Sequence, residues 1–249
     1  MSYTVAGIDV HKSVLMVAVA RAGEEVGDAV GEALQFECRR FGAGAEERQR
    51  LAAWLQECQV QEVVMESTAQ YWKPVWLELE PQVAKLHLAQ AHSNRAPKGR
   101  KHDFGDAKRL ARRLLAGELV LSFVPQPEQR AWRMMTRGKH QLVRERVRLQ
   151  NQVEALLEET RLKLSGVISE LLGLSGRRIL QAIAGGESDP ARLAELGDSR
   201  LQCSREQLRD ALSGQVQPVH RQLLRLHLTR LALLDQQIGE LDQMAAAAL

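Results

Sequence analysis

The pattern of apolar and polar positions changes character near the middle of the chain. Tyr3–Val10 and Val14–Arg21 are β-like runs separated by His11-Lys12-Ser13, a spacing that predicts an antiparallel hairpin. Ala33–Cys38 reads as a third strand. Glu46–Cys58 places Leu51, Trp54 and Leu55 on one helical face. Val60–Glu66 is a short apolar run of the kind that forms a buried strand. Gln70–Leu79 reads as a helix with Trp72 and Trp76 one turn apart, stopped before Pro81. Val83–Ala89 alternates as a strand, and a loop rich in Lys and Arg leads to a helix over Asp103–Ala116.

Pro125 and Pro127 mark a break, after which the pattern is almost wholly helical. Glu128–Leu164 carries Leu142, Leu149 and Leu156 at sevenfold spacing, with Val153 between them. Leu224, Leu228, Leu231, Leu234, Ile238 and Leu241 form a second stripe. Arg146 interrupts the first stripe and Asp235 sits beside the second, which argues against a pure coiled coil. The two segments read as an antiparallel helical hairpin, within one chain or shared between subunits. Three strands followed by α-β-α-β-α is the order of a ribonuclease H-like fold. The expected fold class is therefore α/β: a ribonuclease H-like mixed-sheet domain over 1–124, then an all-α helical or coiled-coil region over 125–249.

Composition narrows the setting. Hydrophobic residues at 45% and charged residues at 26% describe a globular protein. Cys38, Cys58 and Cys203 form no C-x-x-C pair, so neither a zinc cage nor a disulfide framework is indicated, and a reducing cytoplasm is the expected setting. The apolar run Val14–Ala20 is far too short to span a bilayer, and no membrane association is expected. Charge is unevenly placed. Residues 1–90 hold 8 Lys/Arg against 13 Asp/Glu, whereas residues 91–163 hold 17 against 8. A basic band of this kind suits a polyanionic partner, although a solvated helix face produces the same pattern.

Four carboxylates carry the candidate chemistry. Asp9 lies in Gly7-Ile8-Asp9-Val10-His11-Lys12, Glu66 in Met65-Glu66-Ser67-Thr68, and Asp103 and Asp106 in Lys101-His102-Asp103-Phe104-Gly105-Asp106-Ala107. Two acids at strand ends and an i, i+3 pair at a helix start can converge on one point. Four hard oxygen donors at one point suit Mg²⁺, and two such ions can clamp both oxygens of a phosphodiester displacement. Taken singly, Asp103 and Asp106 are equally what a helix N-terminus favours, and Glu66 can be a strand-end acid. Asp9 is harder to explain blandly, because an acid inside an apolar strand costs burial energy unless it is paired. Lys12, Lys98, Arg100, Lys101, Lys108, Arg109, Arg112 and Arg113 are the candidate phosphate contacts. Trp54, Trp72 and Trp76 read as core.

These motifs together resemble the N-terminal half of the DEDD transposases of bacterial insertion sequences, the family also described as bridge-RNA-guided recombinases. The resemblance covers roughly residues 3–165. It implies a RuvC-like domain whose acidic tetrad falls on Asp9, Glu66, Asp103 and Asp106, with Mg²⁺ as cofactor. It further implies DNA as substrate, a structured guide RNA as partner, and homo-oligomers built through the helical region. Members of the family continue into a domain with a Pro-Gly-rich helix-hairpin signature and a nucleophilic serine. No such segment occurs in these 249 residues, so the chain is expected to stop before that domain, and no serine is assigned the role. The expected function is Mg²⁺-dependent DNA strand cleavage and exchange. Its rivals are a non-catalytic DNA- or RNA-binding assembly protein, a RuvC-type junction nuclease, and a sugar-kinase-like or actin-like ATPase. The last of these lacks its Gly-Thr turn, with His11-Lys12 in that place.

Overall fold

A computed structural model describes residues 3–22, 34–67, 69–94 and 104–247. Met1–Val124 and Pro125–Leu249 pack as two separate units.

The first unit opens with β1 (Tyr3–Val10), β2 (Val14–Ala22) and β3 (Gln35–Gly42). It continues with α1 (Ala45–Glu57), β4 (Glu62–Glu66), α2 (Trp72–Leu79), β5 (Lys85–Ala89), α3 (Gly105–Leu115) and β6 (Leu121–Ser122). The sheet runs β3-β2-β1-β4-β5-β6. The β1–β2 and β2–β3 pairs are antiparallel, β1–β4 and β4–β5 parallel, and β5–β6 antiparallel. This is the ribonuclease H-like arrangement. β1 lies at its centre, where strands are apolar on both faces.

The two faces are covered differently. Ala6, Ile8 and Val10 of β1 join Val63, Met65, Leu51, Trp54, Leu55, Val75, Trp76 and Leu79 in one large core under α1 and α2. Trp72 packs against that core and meets Trp76 edge-on, with ring centroids 5.8 Å apart. The opposite face is lined by small residues. Val5 and Ala20 meet Ala111, and Val64 and Ala89 meet Leu110. Gly7 completes that face: a Cβ there would stand 2.1 Å from the Ala107 carbonyl oxygen and 2.8 Å from the Ala111 nitrogen. The sheet therefore accepts α3 with its backbone almost in contact.

Several boundaries differ from the sequence pattern. β3 runs on to Gly42 rather than ending at Cys38, because its pairing with β2 continues to Gly42↔Val14; Ala33, at the expected start, lies outside the described residues. α2 begins at Trp72 rather than Gln70. α3 begins at Gly105 with Phe104 as its N-cap and no side-chain cap. The two-residue β6 has no clear period in the sequence.

The second unit is helical: α4 (Pro127–Glu159), α5 (Leu164–Val167), α6 (Leu174–Gly185), α7 (Pro190–Glu195), α8 (Arg205–Ala211) and α9 (Pro218–Ala247). The expected single helix to Leu164 stops at Glu159, where Arg161 takes a left-handed φ of 62° and the chain turns into α5. Leu149, Val153 and Leu156 of α4 share a core with Ile179, Leu180 and Ile183 of α6 and Leu224, Leu231 and Leu234 of α9. α4 and α9 are antiparallel partners within the chain. Arg146 Nε donates to Asp235 Oδ1 at 2.8 Å, and Lys139 pairs with Asp242. Arg177 of α6 donates to the other Asp235 oxygen at 2.5 Å. The two apparent interruptions of the apolar stripes are thus each other's partners. No described helix is long and apolar enough to cross a membrane.

Candidate active site

The parallel register of β1 and β4 places Ile8 beside Met65. One residue further along, Asp9 and Glu66 emerge on neighbouring strands, on the face that carries Gly7 and Val64. α3 crosses that face, and the absence of a Gly7 side chain lets it lie close enough for its first turn to reach the two acids. Asp106 occupies that turn.

Arg109, one turn later, joins the elements. Its Nη2 lies 3.1 Å from Asp106 Oδ1 and 3.7 Å from Glu66 Oε2. Its Nη1 donates to the Asn94 carbonyl. Burial, then the charges of Asp9 and Asp106, push the Glu66 carboxyl above its ordinary range, while Arg109 opposes them. Asp9, Glu66 and Asp106 therefore share one electrostatic neighbourhood. On the far side of Asp9, His11 Nε2 lies 3.0 Å from Asp9 Oδ2, so this turn histidine belongs to the cluster. Among the described residues, no three acidic, His or Cys side chains close on one point tightly enough to hold a metal ion. The guanidinium of Arg109 stands between Glu66 and Asp106 instead.

Asn94 has no signal in the sequence, yet it is fully buried. Its Nδ2 donates to the Gln90 carbonyl at 2.9 Å and to the Val120 carbonyl at 2.8 Å. Its Oδ1 accepts from Val120 N at 3.3 Å. The side chain staples the turn after β5 to the approach of β6, which fixes the carbonyl that Arg109 uses.

The basic residues separate. Lys12 is exposed in the β1–β2 turn. Lys108 and Arg112 lie over the Phe36 ring, at 5.5 Å and 4.9 Å from its centroid. Arg113 donates to the Glu118 carbonyl at 2.7 Å, and Arg109 faces the acids. The α3 cations thus divide among a ring, a loop and the acidic cluster. Asp103, Lys98, Arg100 and Lys101 lie outside the described residues.

A mixed sheet in the order β3-β2-β1-β4-β5-β6, with acids at the ends of β1 and β4 and α3 across that face, is a ribonuclease H-like domain. Residues 6–162 match the DEDD transposases of the IS110 type, and the chain belongs to that transposase family. Among solved structures, RuvC of Thermus thermophilus is similar at 15% identity and a TM-score of 0.36, over 48% of this chain and 99% of that one. No curated protein matches.

Proposed function

We propose that this chain acts on DNA as a metal-dependent transposase or recombinase, with Asp9, Glu66, Asp103 and Asp106 holding Mg²⁺, two ions in the full site. The observation that carries the reading is the placement of Glu66. A half-buried carboxyl pushed up by burial and by Asp9 and Asp106 forms, with them, a set of hard oxygen donors that a divalent cation would relieve. Bound Mg²⁺ would supply charge compensation for a scissile phosphate and an activated oxygen nucleophile. The chain's own groups would do the rest. Asp9 sits on the rigid central strand and fixes the site relative to the sheet. His11 Nε2, 3.0 Å from Asp9 Oδ2, would orient that carboxylate. Lys12, exposed in the same turn, is placed to meet a phosphate.

A nucleic-acid partner, DNA and a structured guide RNA, is supported by α4. Arg133, Arg137, Arg144 and Arg148 are all exposed and recur along one helical face, with His140 between them. Such a stripe runs for about 22 Å, long enough to follow several phosphates. A homo-oligomer through the helical unit is supported by α9. There Val219, Leu223, Leu226 and Leu233 remain exposed at four-three spacing on the side away from its buried stripe.

The test is Mg²⁺-dependent DNA cleavage or strand exchange by Asp9→Ala and Asp106→Ala, with folding checked by circular dichroism. Both variants are expected to be folded and inactive, and wild-type activity from either would remove the assignment. A non-catalytic assembly protein would show no Mg²⁺ binding that depends on these carboxylates.

A further inference from the structure

Arg109 makes contacts that a phosphate-binding residue has no need of. Its side chain is mostly covered, and its guanidinium is spread over three partners from three segments: Asp106 on α3, Glu66 at the end of β4 and the Asn94 carbonyl. Its Nε is buried with no hydrogen-bond partner among the described residues. A buried guanidinium donor left unpaired costs free energy, so the group is held by the charge of the acids rather than by a full set of hydrogen bonds. Its position between Glu66 and Asp106 is also the position that a cation shared by those two carboxylates would take.

We propose that Arg109 is a resident counter-cation of the acidic cluster. It neutralises Glu66 and Asp106 in the metal-free protein and withdraws toward the Asn94 carbonyl to admit a divalent ion, so it sets the metal affinity of the site. The proposal rests on the metal-binding reading of the cluster given above. Two functions follow from one side chain. Without metal, three acids gathered at the ends of β1 and β4 and the start of α3 repel one another, and Arg109 offsets that repulsion. With metal, a unit positive charge about 4 Å from a divalent ion opposes its binding by a factor of about ten or more, even at the dielectric of water. Asn94 makes the exchange possible. It is fully buried and tied to Gln90 and Val120, so its carbonyl stays in place as the partner that Arg109 retains when it releases the acids.

The experiment is calorimetric titration of the whole chain with MgCl₂, comparing wild type, Arg109→Gln and Asp9→Ala, with urea unfolding in EDTA alongside. Arg109→Gln is expected to bind Mg²⁺ about tenfold more tightly and to be less stable than wild type in EDTA. Unchanged or weaker binding by Arg109→Gln, where wild type shows Asp9-dependent binding, overturns the counter-cation role and leaves the metal site standing. Absence of Mg²⁺ binding in both proteins overturns the metal site and the counter-cation role with it. Should Arg109→Gln fail to fold, the wild type still decides. The Arg109 Nε–H resonance, identified by its loss in Arg109→Lys, is expected to move over the Mg²⁺ range in which binding occurs. A resonance that stays fixed through saturation overturns the proposal.

Discussion

Gly7→Ala tests the contact that positions the candidate site. Gly7 is in an ordinary strand, so the substitution brings no backbone strain and removes some freedom from the unfolded chain, worth about 0.4–1 kcal/mol in favour of folding. The obstruction is steric. The new methyl would stand 2.1 Å from the Ala107 carbonyl oxygen, against an ordinary contact of 3.4 Å, so helix and strand must separate by the difference, 1.3 Å. Both neighbours are main-chain atoms of a helix wedged over Val5, Val64, Ala20 and Ala89, and no flexible side chain can give way. Overpacking of this kind costs about 1–3 kcal/mol, and rigid backbone on both sides points to the upper end. The expected net loss is about 2 kcal/mol.

Urea unfolding followed by tryptophan fluorescence in a Trp132→Phe background reads this, because Trp54, Trp72 and Trp76 lie in the first unit and Trp132 in the second. Gly239→Ala in α9, which lies in the second unit and is followed by circular dichroism, is the control. Nothing lies within 4 Å of a Cβ there, and replacing a mid-helix glycine should stabilise by about 1 kcal/mol. Gly7→Ala should also displace Asp106 and Arg109 together, and a shift near 1 Å costs up to about 100-fold in a positioned reaction. A Gly7→Ala protein as stable as wild type would mean that α3 does not rest on β1 at that point.

Two further outcomes follow from charged groups outside the site. Asp235→Ala leaves Arg146 and Arg177 facing each other without their shared carboxylate and should cost about 2 kcal/mol in the helical unit, read by urea unfolding with circular dichroism. An unchanged midpoint would show that the triad adds nothing. Glu62, at the start of β4, is pushed up by burial but held down more strongly by Lys85, Tyr3 and His87, so its carboxyl lies at about 2. A depressed carboxylate stabilises above its unfolded value of 4.5 and loses that contribution as pH falls toward about 2. Unfolding midpoints of wild type and Glu62→Gln should therefore separate above pH 4.5 and converge near pH 2. Parallel curves across that range would contradict the assignment.

Asp9 and Glu66 were legible in the sequence for a physical reason. Each ends an apolar run, and a charge at the edge of a buried strand must be paired or functional. That the two runs lie side by side also follows from the order of elements, because β1 and β4 take adjacent places in this topology. Arg109 was legible only as a cation near an acid. Whether a helical arginine three residues after Asp106 faces solvent, a ring or a second carboxylate depends on how the helix is rotated on the sheet. Gly7, Ala107 and Ala111 fix that rotation through backbone contact. Lys108 and Arg112, on the same helix, went to Phe36 instead. Asn94 gave no signal, because a loop asparagine reads as a turn residue whether its side chain is exposed or buried.

Arg146 and Asp235 mark the same limit more sharply. Each was legible as a defect in its own apolar stripe, and two defects argued against a coiled coil. Periodicity along one helix fixes which face is apolar but not which residue of another helix stands opposite. That register comes from the core that α4 and α9 share with α6, and it brings Lys139 to Asp242 and Arg146 to Asp235. Once the register is known, the defects become complementary. A seam that carries one charge where the facing helix carries its opposite resists slipping, because sliding α4 along α9 would separate Arg146 from Asp235 and leave two partly buried charges without each other. The charged pair therefore specifies the alignment of two helices whose leucines alone would pack in several.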